Sequence, residues 1–423
     1  MQYPKDEVYW HTLRRPNAGR TLAADRSVDV AVVGGGVAGL AAAQALTDAG
    51  LSVALVERAF CGAGASGKSS GFITPDSELE LSHLISTYGP DKAKKLWEFV
   101  LSGVELIRQN ILKFGIECDY QVQDSLFVAN SARGARQVAA EVAARQQLGY
   151  ESRFYDRSAL PAVIGSPRYY GAVRYPGTFG ITSYLYCQGL KEVLAARGVE
   201  VYEGTAATAV MPNRVVAGGY TIGARHVVLA ADWRAPELVR LRGAVYHAQT
   251  FLGISGRLSE RVLGRVFPGD RLMVWDTDLI YQYYRVTGDG RLLIGGGDLV
   301  YTYAAREKHG ARAMARKLEH YLQKHFPDVT MALEYLWPGL IGVSKDLLPV
   351  AGAVDGVYVV TGAAGLPWAA ALGRYIAEKL VSGRDDYDHE FSPERGFPVG
   401  EMPQRFIGTR LAFALSHGIS KYL

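Results

Sequence analysis

"VAVVGGGVAGLAAAQAL", residues 30–46, passes from a run of β-branched residues through three glycines into an alanine-rich stretch. Taken with the residues before it, "SVDVAVV" (27–33) is an apolar run suited to a parallel strand covered on both faces. Gly34, Gly36 and Gly39 have G-x-G-x-x-G spacing. The first permits a tight turn, the second lets a diphosphate approach the backbone, and the third lets helix and strand pack closely. The helix opening there offers unpaired N–H groups and about half a positive charge to a phosphate. "DAGLSVALVER" (48–58) then supplies a second strand ending in Glu57, 18 residues beyond Gly39. An acid at that place hydrogen-bonds the ribose of a dinucleotide and repels a 2′-phosphate. The glycine spacing alone is weak; strand, turn, helix, strand and acid in this order specify a dinucleotide-binding unit.

Composition sets the outer bounds. A chain of 423 residues, 48% of them apolar, holds one large domain or two interlocked ones. The net charge of +4 is small and evenly spread, so no nucleic-acid partner is called for. Cys61, Cys118 and Cys187 have neither pairing nor metal-ligand spacing, which fits a reducing cytoplasm. "MQYPKDEVYWHTLRRP" lacks the apolar centre of a signal peptide. Residues 28–56 are apolar enough to suggest a membrane span, but five glycines with Gln44, Thr47 and Asp48 break them into strand, turn, helix and strand.

The next stretch, "RAFCGAGASGKSSGFITPD" (58–76), separates the dinucleotides. A simple NAD protein proceeds to another β-α unit; here a glycine- and serine-rich segment runs back along the ligand. Ser66, Ser69 and Ser70 offer hydroxyls to phosphate or ribityl oxygens, Lys68 offers a cation, and the small residues let backbone approach a ring. Much later, "VVTGAAGLPWAAALG" (359–373) repeats the strand–glycine turn–helix device, with Leu366, Pro367 and Trp368 as its first turn. A helix start of this kind favours negative charge.

At these residues the chain resembles the D-amino-acid-oxidase superfamily. "GGGVAGL", "ER", "GASGKSSG" and "WPGLIGVSKDLLPVAG" (337–352) carry the likeness. Within that superfamily it is most similar to the γ-glutamylputrescine oxidoreductase branch, through "IRQNILKFGIECDY" (107–120), "YYRVTGDGRLLIGGG" (283–297) and "GFPVGEMPQRFIGTRLAF" (396–413). The resemblance implies a Rossmann-like FAD-binding domain interleaved with an antiparallel-sheet substrate domain, α/β in class and α+β overall. It places residues 1–85, 151–235 and 331–390 in the first, 86–150 and 236–330 in the second, and 391–423 in a tail helix. The expected FAD contacts are Gly34, Gly36, Gly39, Glu57 and Arg58 at the front. Ala65, Ser66, Lys68, Ser69, Ser70, Gly71 and Phe72 follow in the serine-rich segment. Thr208 and Ala230 belong to the adenine side, and Gly339, Gly365, Leu366, Pro367 and Trp368 to the ring. The late turn then points its N-terminus at flavin N1 and O2, where reduction leaves negative charge. FAD is expected to be non-covalent, because the late cysteine used elsewhere in the superfamily is missing and "KSS" replaces the linking histidine.

The resemblance also bears on substrate. Amino-acid oxidases of the superfamily anchor the substrate carboxylate with an arginine just after W-x-G-L; this chain reads Trp337, Pro338, Gly339, Leu340, Ile341. A butyl group cannot hold a carboxylate, which argues for an amine. Phe72, His247, Tyr281, Tyr283, Arg285, Trp337 and Trp368 are the candidates to face the ring, and an aromatic box suits an alkylammonium. Ordinary packing competes for each. His247 suits a hydrogen-bonded sheet position better than a general base, Arg285 has Asp289 within reach of its strand, and Asp346 beside Lys345 suits a structural role.

The expectation is an FAD-dependent amine oxidoreductase. Hydride transfer from the carbon beside nitrogen to flavin N5 gives an imine that hydrolyses, with oxygen or another acceptor taking the electrons. One alternative is an amino-acid dehydrogenase with its anchor moved to Arg285 or Arg174; another is a flavin-binding subunit without its own turnover. "RFIGTRLAFALSHGISKYL" (405–423) is a basic amphipathic helix that docks on the body or a second subunit, or lies on a membrane surface.

Overall fold

The computed structural model describes residues 4–17, 19–76, 78–241, 243–278, 280–297, 307–309 and 312–422. In chain order, the elements that build the site are strand β1 (Arg26–Val33), helix α1 (Val37–Asp48), β2 (Val53–Val56), helix α2 (Pro90–Phe114), β3 (Glu200–Tyr202), β4 (Tyr220–Leu229), β5 (Val245–Arg257), β6 (Met273–Asp276), β7 (Tyr283–Val286), β8 (Leu333–Ser344), β9 (Val357–Thr361), helix α3 (Leu366–Ser382) and helix α4 (Thr409–Tyr422).

The first sheet has a parallel centre. β2 pairs with β1 from Val30 against Val53 to Val33 against Val56, and β4 flanks β1 on its other side. β3 extends the sheet beyond β2, and β9 pairs with the end of β4 at Val228 and Leu229. Val30 to Val33 and Val53 to Val56 are all buried, as strands covered on both faces require. α1 lies on this sheet with eight of its twelve residues buried, including Gln44, whose amide exchanges hydrogen bonds with Asn110 on α2 at 2.7 and 2.8 Å. Helix–helix contact is close. A Cβ on Gly103 of α2 would meet the Pro367 carbonyl at 2.0 Å, and one on Gly373 of α3 would meet the Ala38 carbonyl at 2.1 Å.

The second sheet has eight strands in the order β8, β5, Arg291–Gly296, β7, β6, Ser125–Val128, Gly171–Tyr175 and Arg153–Asp156. All its pairs are antiparallel except β6 with Ser125–Val128. β5 and β7 are among these antiparallel strands, and a helix spanning Arg312–His325 ends before Pro327.

The division of the chain between the two sheets differs from the expected segments. Arg153–Asp156, Gly171–Tyr175 and β8 were grouped with the FAD-binding pieces 151–235 and 331–390, yet their backbones pair in the second sheet. α2 was grouped with 86–150 in the substrate domain. Its apolar face (Leu96, Phe99, Val100, Val104, Ile107 and Ile111) instead joins the core that α1 and α3 share with the first sheet. Helical spacing alone displays this face; the fold decides which partner buries it.

Candidate active site

A cleft of ≈ 410 Å³ runs from the carboxyl edge of the first sheet to the face of the second. At its head stands the turn between β1 and α1. Gly34 has φ +112°, and a Cβ there would lie 2.3 Å from the Ala230 carbonyl; one on Gly39 would lie 1.9 Å from the Gly34 carbonyl. Gly39 therefore seals helix to strand from behind and does not line the cleft, whereas Gly34, Gly36 and Ala38 do. The Val37 amide donates to Ser66 Oγ at 3.0 Å. Gly36 and Ala38 keep their amides at the cleft wall, in the first turn where no intrahelical acceptor exists. Glu57 sits at the tip of β2 with its carboxylate accepting from the amides of Gly35 (2.8 Å) and Ala59 (3.0 Å). It lines the cleft beside Arg58, Thr205, Ala206 and Ala207. Thr208 does not; its hydroxyl turns away to the Val216 carbonyl. Ala230 is in the lining, followed by Asp232, Trp233 and Arg234, which the sequence reading passed over.

The serine-rich segment is held from behind, carbonyl by carbonyl. Trp337 Nε1 donates to the Lys68 carbonyl, Trp10 Nε1 to that of Ser69, and Arg285 Nε to that of Ser70, at 3.0, 3.0 and 2.9 Å. Arg285 also reaches the Ile181 carbonyl at 2.6 Å, and Ile181 returns its amide to Gly71 at 2.9 Å. With its carbonyls engaged, the segment turns Ala65, Ser66, Lys68, Ser69, Ser70 and Phe72 into the cleft; Gly71 stays out of the lining. Two expectations are corrected here. Trp337 and Arg285 do not face the ring site but clamp this loop, because a buried N–H must find an acceptor and the nearest are these carbonyls. Arg285 is fully buried, its pKa lowered to about 10 by burial, and Asp289 pairs with Arg291 and Tyr9 instead.

At the far end the lining changes character. Phe72, Trp275, Tyr281 and Tyr283 form an aromatic wall, with Phe72 5.6 Å from Tyr283 and 6.5 Å from Trp275 between centroids. Beside it stand two carboxylates, Asp76 and Glu78. The Tyr281 hydroxyl donates to Glu78 at 3.2 Å. Asp76 accepts from Arg145 Nη2 at 3.2 and 3.3 Å and from the Tyr175 hydroxyl; Arg145 Nε donates to Glu141 at 3.0 Å. One guanidinium thus serves two buried carboxyls. Burial pushes Asp76 up to about 7 against the pull of Arg145, with Glu141 adding like-charge repulsion.

The floor is aliphatic. β5 presents Ala248, Thr250 and Leu252, and β8 presents Gly339, Ile341 and Val343. His247 is out of phase with that face; it stacks on Tyr246 at 4.3 Å and meets Trp233 edge-on, so the ring-facing expectation fails for it. The late turn contributes Ala363, Ala364, Gly365 and Leu366. Pro367 and Trp368 occupy the first turn of α3 as expected but lie off the cleft, Trp368 packing on Phe99 and Phe391. Asp232, at φ +48°, ties the late turn to β8: its carboxylate accepts from the Gly342 amide at 2.8 Å and its carbonyl accepts from the Thr361 hydroxyl at 2.9 Å. From α4, Phe413 is buried with Ala248, Val343 and Ala364, and His417 joins the lining with its ring hydrogen-bonded to the Ser344 carbonyl at 2.8 Å.

The arginines in the lining, among the described residues, are Arg58 and Arg234. Arg174, the other proposed relocated anchor, pairs with Asp124 and Asp270 away from it. Asp346 is salt-bridged to Arg395 at 2.7 Å, and Lys345 donates to the Val399 carbonyl at 2.9 Å, both structural uses.

A family model described as FAD dependent oxidoreductase matches residues 29–379. Over its length the chain is similar to the γ-glutamylputrescine oxidoreductase of Escherichia coli (strain K12), 29% identical over 394 residues that cover 90% of each. It is also similar to the probable oxidoreductase OrdL of Haemophilus influenzae, 26% identical over 367 residues, 84% of this chain and 83% of that one. Among solved structures, glycine oxidase from Geobacillus kaustophilus superposes with a TM-score of 0.74 at 20% identity, over 88% of this chain and 100% of that one. A likeness at that identity speaks for the fold.

Proposed function

The chain belongs to the family of FAD-dependent oxidoreductases, and from that premise we propose that it oxidises the C–N bond of a small amine, bound as a cation, to an imine that water hydrolyses. The residues present fit the cofactor: the turn at Gly34–Gly39 admits no Cβ at its ends, and a run of amides, hydroxyls and backbone lines one continuous cleft to the late turn. Gly36, Ala38, Ser66, Ser69 and Ser70 would hold the diphosphate and ribityl oxygens, Glu57 the adenosine ribose, and Gly365 and Leu366 the ring. Among the described residues no cysteine lines the cleft. When bound, FAD supplies the acceptor for the hydride that leaves the carbon next to nitrogen.

The observation that carries the amine reading is the far end of the cleft: carboxylates and aromatic faces gather there, while the position of the expected carboxylate anchor is Ile341. An ammonium is drawn by Asp76 and stabilised over aromatic faces by their quadrupoles. Oxidation requires the free amine, and we assign Asp76, a lining carboxyl whose proton affinity burial raises, to take that proton. The aromatic wall and the Ala248–Leu252 face keep water from the reacting carbon. Similarity to the γ-glutamylputrescine oxidoreductase of Escherichia coli supports a substrate derived from a polyamine, such as γ-glutamylputrescine. Oxygen or another carrier takes the electrons onward.

The test is anaerobic mixing of holoenzyme with monoamines, diamines, γ-glutamylated diamines and α-amino acids, following loss of the flavin's yellow absorbance. Bleaching by amines is expected. Bleaching by α-amino acids alone would restore the relocated-anchor reading, and no bleaching by any of them would favour a subunit without turnover.

A further inference from the structure

The helix α4 has two dissimilar faces. Ala412, Phe413, Ser416 and His417 are buried; Phe413 packs with Ala248 of β5, Val343 of β8 and Ala364 of the late turn, and His417 bonds the Ser344 carbonyl of β8. Leu411, Leu415 and Ile419 recur at four-residue spacing and are exposed, and the preceding helix, Glu401–Ile407, exposes Met402 (73%), Phe406 (86%) and Ile407 (40%). Six of the thirteen large apolar side chains exposed among the described residues therefore lie within residues 402–419. Such a concentration is a surface built to be covered.

Charge decides what covers it. Residues 401–423 carry Arg405, Arg410 and Lys421 against the single acid Glu401, a net of +2. Arg405 and Arg410 are exposed beside the apolar stripe. A second copy laid on this face would bring one net-positive segment against another. A surface of anionic lipid headgroups meets both needs, taking the apolar side chains into the headgroup–acyl boundary and the arginines to phosphates. No helix among the described residues is long and apolar enough to cross a membrane, so the contact lies along the surface.

We propose that the segment 401–422 docks this protein on an anionic membrane surface, with Met402, Phe406, Ile407, Leu411, Leu415 and Ile419 entering the interface. The inner face of the same helix backs the late turn, so the cleft and the membrane contact share one element.

The experiment is flotation of full-length holoenzyme with vesicles of phosphatidylcholine alone or with phosphatidylglycerol, at low and physiological salt. Binding is expected only to the phosphatidylglycerol vesicles, weakening as salt rises. The triple variant Phe406→Ser, Leu411→Ser and Leu415→Ser should lose at least about tenfold in binding, and Arg405→Gln about fivefold. Both should keep wild-type flavin absorbance and melting temperature, since the altered side chains are exposed. Flotation of the triple variant equal to wild type, or binding to neither vesicle, overturns the proposal. So does a concentration-dependent dimer, seen by light scattering, that the triple variant abolishes.

Discussion

Gly39→Ala tests the reading of the front turn most directly. The added Cβ would start 1.9 Å from the Gly34 carbonyl oxygen, and a real Cβ does not approach closer than 3.0 Å. The contact must open by the difference, 1.1 Å, between two backbone segments that have no rotamer to yield. If α1 moves, the amides of Gly36 and Ala38 move with it. A phosphate oxygen held at ~2.9 Å would then stand near ~4 Å, beyond hydrogen-bond range. Each bond to a charged acceptor contributes about 1.5–3 kcal/mol, so losing two weakens FAD binding by about 3–6 kcal/mol, or about 10²–10⁴ in Kd. If the strand yields instead, overpacking costs about 1–3 kcal/mol of stability.

The assay follows from that division. Flavin-to-protein absorbance after gel filtration measures retention. Titration of deflavinated protein, followed by quenching of flavin fluorescence, gives Kd, and a thermal melt of the apoprotein gives the stability share. Gly264→Ala, at an exposed helix position where a Cβ meets nothing within 4 Å, is the handling control: it should keep wild-type Kd and melt no lower than wild type. A Gly39→Ala protein with wild-type Kd and wild-type melting temperature would refute the argument, for the steric conflict would then have been absorbed at no cost.

Asp76→Asn removes the carboxylate while keeping shape, and KM for the amine should rise about 10- to 100-fold, the loss of one bond to a charged group. Burial keeps Asp76 protonated below about 7, so the form that draws an ammonium and accepts its proton exists only above; wild-type kcat/KM should rise with pH through that value, and the variant's profile should lack the rise. Ile341→Arg puts a guanidinium on the cleft floor and should cut amine turnover while lowering KM for α-amino acids, read from a substrate panel. Arg285→Met leaves the Ser70 and Ile181 carbonyls without their donor, at about 1–3 kcal/mol each, and should lower the melting temperature and loosen FAD without altering which substrates are accepted.

What the sequence discloses of this site follows the range of the contacts involved. The front turn was legible because its parts lie within thirty residues and each glycine answers a local need. The face of α2 was legible because helical spacing displays it. Trp337 and Arg285 were found but misassigned: residue type marks them as buried donors, while the acceptors, the carbonyls of Lys68 and Ser70, lie 269 and 215 residues away. His247 was misassigned through strand phase, since a one-residue shift in register sends a side chain to the opposite face. Asp76 closes the serine-rich stretch, yet its partners Arg145 and Tyr175 are 69 and 99 residues further on, and only the fold makes one guanidinium answer for two acids.

The two glycine turns, more than three hundred residues apart, are made into one instrument by packing. β9 stands next to β4, which stands next to β1, so the helices following β1 and β9 both begin at the same edge of one sheet. Contact of Gly373 with the Ala38 carbonyl fixes α3 on α1, and contact of Gly103 with the Pro367 carbonyl fixes α2 on α3. The distance between the helix starts is therefore set by backbone against backbone, which side-chain drift cannot loosen. With the cofactor's two ends determined by that rigid frame, variation in substrate is left to the second sheet and the Phe72–Glu78 segment. A chain can exchange an arginine for Ile341 there without disturbing either turn, and that separation is why FAD binding reads clearly in this sequence while the substrate must be argued from the cleft.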